Sequence, residues 1–268
     1  MIPVLEVSVE RARFKLDLLF GLVKRDVLGR YRGSLFGVAW SIVSPLLMLV
    51  VYTVAFHELL GARWPGASGR AGFAVMVFVG LMLHAMLAEV LVKSPAAITG
   101  QPNFVKKLVF PLSVLPLVSL GSAVVHSTLG LAILLLSPLF GGPSLHATAL
   151  LLPVLLLPFI VLLAGVSWLL AALGVYIRDI AQLGGLVATV LLFLSPIFFP
   201  ITVIPERYRP IVQLNPLTFI VEGARGLLFD GTVPSVATYV VYWVTATVIA
   251  GLGLAAFKRL RPGFGDVL

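Results

Sequence analysis

The chain contains no cysteine among its 268 residues, which excludes disulfides, thiolate metal sites, iron–sulfur clusters and a cysteine nucleophile. Charge is scarce as well. Only 11 % of the residues are Asp, Glu, Lys or Arg, while 60 % are hydrophobic; soluble domains average about 25 % and about 45–50 %, so the composition argues against a water-soluble globule. No Gly-Lys pair occurs anywhere, and with it goes the Gly-x-x-x-x-Gly-Lys-Ser/Thr loop that cradles nucleotide phosphates. The motifs His-Glu-x-x-His and Gly-x-Ser-x-Gly and paired-aspartate metal motifs are missing too. The 11 acidic residues do not converge in sequence on a catalytic centre.

What is present is long uncharged sequence. After Lys107 the next formal charge is Arg178, and only His126 and His146 interrupt the intervening 70 residues. A membrane crossing takes about 20 helical residues, since a helix rises about 1.5 Å per residue and the hydrocarbon layer is about 30 Å thick. The run therefore holds two crossings joined at Gly141-Gly142-Pro143-Ser144. The whole pattern predicts an all-α integral membrane protein with six spans at about 34–58, 72–92, 112–137, 147–174, 180–199 and 235–257. Counting Lys and Arg between these spans gives 14 on the side of the termini and five on the other, which places both termini in the cytoplasm. The net charge of +8 thus reads as a topology marker and requires no nucleic acid. The first apolar run follows a charged segment, 1–33, without a small-residue cleavage site, so it is expected to stay as a span rather than be removed as a signal peptide.

Three segments between the spans are candidates for function. Leu16, Phe20, Val23 and Val27 recur at helical spacing, with Lys24, Arg25, Asp26, Arg30 and Arg32 around much of the remainder; this predicts an amphipathic helix along the inner membrane surface. Either a lipid anchor or a docking surface for a cytoplasmic partner fits it. Gly29, Gly33, Gly37 and Ser41 are each four apart and form either a small-residue stripe on one helix or an elbow at Gly33-Ser34, the reading favoured here. In the loop 93–110, Pro102 and Asn103 can start a short helix carrying Phe104, Lys106 and Lys107, with Pro111 as its stop; a plug for a partner's groove and a lipid-anchored turn fit equally. The stretch 195–231 stays apolar yet carries Pro196, Pro200, Pro205, Pro210 and Pro216, too many for a regular spanning helix. It reads as short helices over 200–229 dipping back from the outer face, because irregular backbone at membrane depth must be buried in protein or line a cavity. Glu89 is expected near the inner end of its span, where a long side chain can snorkel; His84 and His126 lie deeper and read as satisfied structural histidines.

Several of these residues resemble a known family. Arg25-Asp26-Val27-Leu28-Gly29-Arg30-Tyr31-Arg32-Gly33-Ser34 with Trp40 and Pro45-Leu46-Leu47, Asn103-Phe104-Val105-Lys106-Lys107 with Phe110-Pro111, Arg178-Asp179, Ser195-Pro196-Ile197-Phe198-Phe199-Pro200, Ile204-Pro205-Glu206 and Leu214-Asn215-Pro216-Leu217-Thr218 are similar to the permease subunits of ABC-2-type exporters of O-antigen, teichoic acid and capsular glycans. The resemblance implies an N-terminal segment 1–33 with an interface helix, a membrane domain 34–257 and a cytoplasmic tail 258–268. It implies a chain without catalysis of its own that pairs with a second copy and with two ABC ATPase subunits, which bind ATP and Mg, in the bacterial inner membrane. The cargo it implies is a polyprenyl-pyrophosphate-linked glycan, most often O-antigen. Lys24 and Asp26 with Gln101, Asn103, Phe104, Lys106 and Lys107 correspond to the ATPase-coupling surface, and Arg25, Arg30 and Arg32 to the lipid-pyrophosphate entry. Tyr52, Phe193, Phe198 and Phe199 are the channel aromatics that would stack on sugars, and Pro200, Pro205, Pro216, Glu222 and Arg225 belong to the outer gate. Where relatives have an aromatic-rich second span this chain reads Leu83-His84-Ala85-Met86-Leu87-Ala88-Glu89, so His84 is expected to substitute as a glycan contact. A small lipid or drug as cargo, or a membrane-embedded enzyme processing glycans or lipids, are the rival readings.

Overall fold

The computed structural model describes residues 4–66, 69–105, 110–140 and 142–268. Its helices are α1 (Val4–Arg30), α2 (Trp40–Tyr52), α3 (Gly69–Lys93), α4 (Pro102–Val105), α5 (Leu115–Leu134), α6 (Leu152–Tyr176), α7 (Ile180–Leu194), α8 (Arg209–Gln213), α9 (Pro216–Arg225), α10 (Val236–Leu260) and α11 (Phe264–Val267), and no strand occurs among the described residues. Five helical segments there are long and apolar enough to cross a membrane: Trp40–Leu59, Gly69–Ala96, Leu112–Leu139, Ala147–Tyr176 and Val236–Val267. The apolar α7 has only 15 residues, about 22 Å of helix. It ends five residues before the expected limit of 199 because Ser195 turns to extended backbone (φ −98°, ψ 152°) ahead of Pro196, and a residue preceding proline is driven out of the helical region.

The first span also starts later than position 34. Gly33 (φ 81°) and Gly37 (φ 50°) occupy the left-handed region, which an L side chain resists, and a 3₁₀ turn over Gly37–Ala39 leads into α2. Gly29, Gly33, Gly37 and Ser41 therefore share no continuous helix, and the chain bends between α1 and α2. At its other end α2 loosens into a π-helical turn, Thr53–Leu59.

The central element is α3, buried from Met76 to Leu83 without interruption and surrounded by α5, α6, α7 and α9. Glycines set the closest approaches in the bundle, where α7 meets α3, α6 meets the turn after α3, and α10 meets α6. A Cβ on Gly184 would overlap the Leu91 carbonyl, one on Gly174 the Pro95 carbonyl, and one on Gly253 the Gly165 carbonyl. Small residues let apolar helices approach backbone to backbone, which is how helices associate without a hydrophobic drive from water.

Helix α1, expected as an amphipathic helix along the inner membrane surface, packs against the bundle. Its second half runs parallel to α5: Val23 fills the space left by Gly121, Asp26 meets Ser122, and Arg30 and Tyr31 meet His126. Steps of four in one helix match steps of four in the other. The packed stripe is Leu18, Leu19, Leu22 and Val23, with Leu22 sharing a core with Ile98, Leu112, Leu115, Phe257 and Phe264. Leu16 and Phe20, on the apolar face expected along the inner membrane surface, are 52 % and 70 % exposed, because docking of Val23 on Gly121 turns them away from the bundle.

At the opposite end of α3 the chain closes around Arg225. This guanidinium is buried on α9 and donates to the carbonyls of Met76 (3.0 and 2.8 Å), Pro196 (2.5 Å) and Ile197 (3.0 Å), and to Glu222 Oε1 (3.0 Å), while its carbon lies 4.2 Å from the centre of the Trp64 ring. Asn215 caps α9 by accepting from Leu217 N (2.9 Å) and donates through Nδ2 to Ser195 Oγ (2.8 Å); Ser195 in turn donates to the Leu191 carbonyl. The end of α7 and the start and end of α9 are thereby one unit.

Replacing Arg225 with Met should strand three buried carbonyls and the Glu222 carboxylate, and is expected to cost about 3–5 kcal/mol, the usual penalty for breaking a buried charge network. Thermal unfolding of the purified variant in detergent reads this directly, and an unchanged midpoint would refute the role given to Arg225.

Candidate functional site

Three helices each contribute two polar residues one turn apart: Asp26 and Arg30 on α1, Glu89 and Lys93 on α3, Ser122 and His126 on α5. Because α1 and α5 run together and α3 runs against them, the six form two layers. In the first, Lys93 Nζ lies 3.0 Å and Ser122 Oγ 2.7 Å from the same Asp26 oxygen, Oδ2. In the second, His126 Nδ1 donates to Glu89 Oε2 at 2.9 Å and the Arg30 guanidinium stands 3.3 Å from Glu89 Oε1. Lys93 Nζ, 2.7 Å from Glu89 Oε1, joins the layers. Tyr31 closes the arrangement, its hydroxyl 3.4 Å from His126 Nε2.

Glu89 is only 9 % exposed and does not snorkel: cations on two helices hold it in place. In this network two carboxylates meet two permanent cations, with Glu89 buried and Asp26, Arg30 and Lys93 partly exposed. Its depth is substantial. His126 stands eleven residues into α5, about 16 Å beyond the helix start.

Beside this network opens a cavity of about 670 Å³, lined by Arg30, Tyr31, Glu89, Lys93 and His126 on one wall and by Trp40, Ser44 and His84 on another. His84 Nε2 donates to the Ala188 carbonyl of α7 at 2.8 Å, so it both ties α3 to α7 and faces this cavity. A second hollow of about 380 Å³ brings Arg25, Asp26 and Gln101 together on the far side of the network. Lys24, Arg25 and Arg32 are exposed. Asn103 is exposed on α4, but Phe104 is not a protruding aromatic tip: its ring stacks on Phe110 at 4.3 Å and 26° and is half-buried. Lys106 and Lys107 lie outside the described residues.

The expected channel aromatics divide. Tyr52, Phe193 and Phe198 do meet, with Tyr52 4.8 Å and Phe193 5.9 Å from Phe198, and Phe56, which was not expected here, joins them. Phe56 stacks on Phe198 at 4.3 Å and 3°, which covers one face of a ring already 1 % exposed; in this conformation Phe198 supports its neighbours and offers no open face. Phe193 is 57 % exposed, whereas Phe199 packs half-buried against the main core. His84 sits apart from this group. Of the outer residues, Pro200 is buried, Pro205 is exposed, and Pro216 opens α9 with its carbonyl accepting from the Tyr242 hydroxyl at 2.9 Å.

Glu89, Lys93, Ser122, His126 and Tyr31 were not expected to act together. The usable signal was the repeated spacing of four in three separate helices, each with a group complementary to the others. If the layers act as one network, the losses of stability in Glu89→Gln and Lys93→Met should be non-additive by about 0.5–3 kcal/mol in a double-mutant cycle. Thermal denaturation of the four proteins in one detergent measures it, and additivity would dismiss the network.

Comparison with known proteins extends these local features to the whole chain. Residues 17–229 match the ABC-2 type transporter family, an interval that contains the α1–α3–α5 network and ends beside the Arg225 cluster. An O-antigen export system permease protein of Klebsiella pneumoniae is 25 % identical over 254 residues, covering 94 % of this chain and 95 % of its own. Its counterpart in Myxococcus xanthus is 24 % identical over 253 residues, 93 % and 94 % of the two chains, and the polysialic acid transport protein of Escherichia coli is 23 % identical over 240 residues, 87 % and 90 %. With a family match over most of its length on a bundle of apolar helices, the chain belongs to the ABC-2 type transporter family.

Proposed function

We propose that this protein is the channel-forming permease of an ATP-driven exporter that carries a lipid-linked polysaccharide, most specifically O-antigen, across the bacterial inner membrane. The observation that carries the reading is the reach of the similarity: relatives named for O-antigen export align over 93–94 % of the chain, so both ends of the helical bundle are covered. In this reading α7 and the apolar turn 195–199 complete a sixth crossing, and the end of the bundle that carries α4 faces the cytoplasm, in keeping with 14 of 19 cations. The segment 200–229 forms the re-entrant outer gate. Its second part, α9 and the turn after it, is mostly buried from Leu217 to Phe229, while 202–211 is largely exposed, as expected of one arm packed into the bundle and one at its outer surface.

The transport cycle needs a partner, since the sequence has no phosphate loop. Two copies of the chain line the path and two ATPase subunits, loaded with ATP and Mg, dock at Gln101, Asn103, Phe104, Lys106 and Lys107 and along Lys24 and Asp26. Asp26 and Gln101 border one hollow, and Asp26 is ion-paired to Lys93 of α3, so a push at the docking surface is delivered to the central helix. Arg25, Arg30 and Arg32 draw the carrier's pyrophosphate toward the bend between α1 and α2, because guanidinium binds phosphate oxygens bidentately. Tyr52, Phe193 and Phe199 with His84 follow the glycan as it threads outward.

Expressed with its ATPase in a cell lacking its own O-antigen permease, the chain should restore glycan to the cell surface. Lys106→Glu with Lys107→Glu should abolish that display while membrane insertion and ATP hydrolysis by the complex persist. Undiminished surface glycan in the double variant would remove the coupling role, and ATP hydrolysis by the chain purified alone would overturn the permease reading.

A further inference from the structure

A second cavity of about 670 Å³ lies at the other end of the bundle, between α8, α9 and the start of α10, and no role has been given to it above. Its walls carry Gln213, Thr218, Glu222, Thr232 and Thr238, together with the ring of Phe219. This polarity is local. A neighbouring hollow of about 130 Å³, on the other side of the segment 233–236, is lined by Leu151, Val154, Leu155, Leu227, Val236 and Tyr239, which is the lining that contact with lipid tails would favour.

The chemistry of the walls narrows what fits. No Lys, Arg or His borders the cavity among the described residues, so a phosphate or another anion has nothing to pair with. The one carboxylate, Glu222, already has Oε1 engaged by Arg225 at 3.0 Å, and no group of three or more His, Cys, Asp or Glu that could hold a metal occurs among the described residues. What remains is the Gln213 amide, the Thr232 hydroxyl, the Thr238 hydroxyl, which shares one hydrogen bond with Ser235 Oγ at 2.7 Å, and a partly exposed carboxylate, while the Thr218 hydroxyl is taken up by the Val212 carbonyl; such a set suits a neutral ligand rich in hydroxyls. Phe219 adds a flat wall. It is backed by Tyr242 at 4.9 Å and 28°, and Tyr242 is anchored through its hydroxyl to Pro216, so the ring is held rather than free to collapse inward. Thr232 is admitted because position 226 is glycine: a Cβ there would stand 2.6 Å from Thr232 Oγ1. A volume in the range of small-molecule sites, hydrogen-bonding groups and one rigid aromatic face are the elements that recognise a sugar ring.

We infer that this cavity is a saccharide-binding subsite, in which Gln213, Glu222 and Thr238 bond ring hydroxyls and Phe219 stacks on the apolar face of the ring. The inference rests on the export reading above and gives it an exit-side contact: a place where sugars leaving the channel are held before release.

The test uses the permease–ATPase complex in nanodiscs and, as probe, fluorescently labelled polysaccharide freed from its lipid by mild acid hydrolysis of the strain's own lipopolysaccharide. Wild-type complex should bind the probe, and Gln213→Ala with Thr238→Val should weaken binding at least tenfold with no change in melting temperature; Phe219→Leu should do the same while keeping an apolar wall. Surface display of glycan, followed in the same strains, separates the two readings. If the wild type exports glycan but binds no probe, or if the variants bind as well as the wild type, the subsite is wrong and the export reading stands. If the wild type neither exports nor binds, the export reading itself fails.

Discussion

A guanidinium without water needs acceptors, and Arg225 obtains them in a way that dictates the architecture at its end of the bundle. The carbonyls of Pro196 and Ile197 are available because α7 stops at Leu194, and the Met76 carbonyl is reached because position 80, one turn further along α3, is glycine. A Cβ at Gly80 would lie 3.1 Å from Arg225 Nη2 and 3.2 Å from Ile197 Cα. The short α7, the glycine in α3 and the charge on α9 are therefore parts of a single arrangement. Lengthening α7 would return its carbonyls to helical partners and leave the guanidinium unsatisfied, a state that costs several kcal/mol in a buried site. Asn215 and Ser195 repeat the logic on a smaller scale, each meeting a backbone or hydroxyl group that the interrupted helices leave unpaired.

Helix α3 also carries the other constraint. Its Glu89 and Lys93 tie it to α1 and α5, and its Met76 and Gly80 tie it to α9, so one continuous helix links two charge clusters near opposite ends. The clusters differ in kind. Around Arg225 a cation is solvated mostly by fixed carbonyl dipoles, which resist displacement because the backbone must move with them. The layered network is built from side chains on three separate helices, and each ion pair there can be exchanged as the helices shift. If an ATPase docks at the α4 end as proposed, the side-chain network is the cluster nearer to the applied force and the carbonyl-bound Arg225 the one farther from it.

Much of this architecture is legible in the sequence. The uncharged runs located the apolar helices, although the first begins six residues later than expected and α7 ends five earlier; the proline density around 195–216 marked a region without a long helix, and Gly33 identified the bend after α1. What could not be read was how elements face one another. The stripe Leu16, Phe20, Val23 and Val27 is as apolar as the one that packs, and only Gly121 on a distant helix decides that Val23 docks and Phe20 turns outward. Phe104 looked like an exposed tip because nothing local reveals that Phe110 folds back on it. Glu89 looked peripheral for the same reason: its partners are 59 residues before it and 37 after it in the chain, at Arg30 and His126, and spacing along one helix carries no information about its neighbours.

The neutrality of the layered network bears on how a charged lipid headgroup would be received. Three arginines near the end of α1 look equivalent in sequence, but Arg30 is matched by Glu89 and lies against His126, so drawing it onto a phosphate would leave a buried carboxylate with one cation fewer. Arg25 and Arg32 carry no such debt. Arg32 is exposed beyond the end of α1, and Arg25 borders the hollow that also contains Asp26 and Gln101. In the proposed export reading Arg25 and Arg32 would meet a pyrophosphate first, and Arg30, itself partly exposed but paired with Glu89, would join them only by giving up that pair. A ligand that did capture Arg30 would loosen the network where the helices meet, so that occupancy of the headgroup site and the position of α1 would be linked through one shared charge.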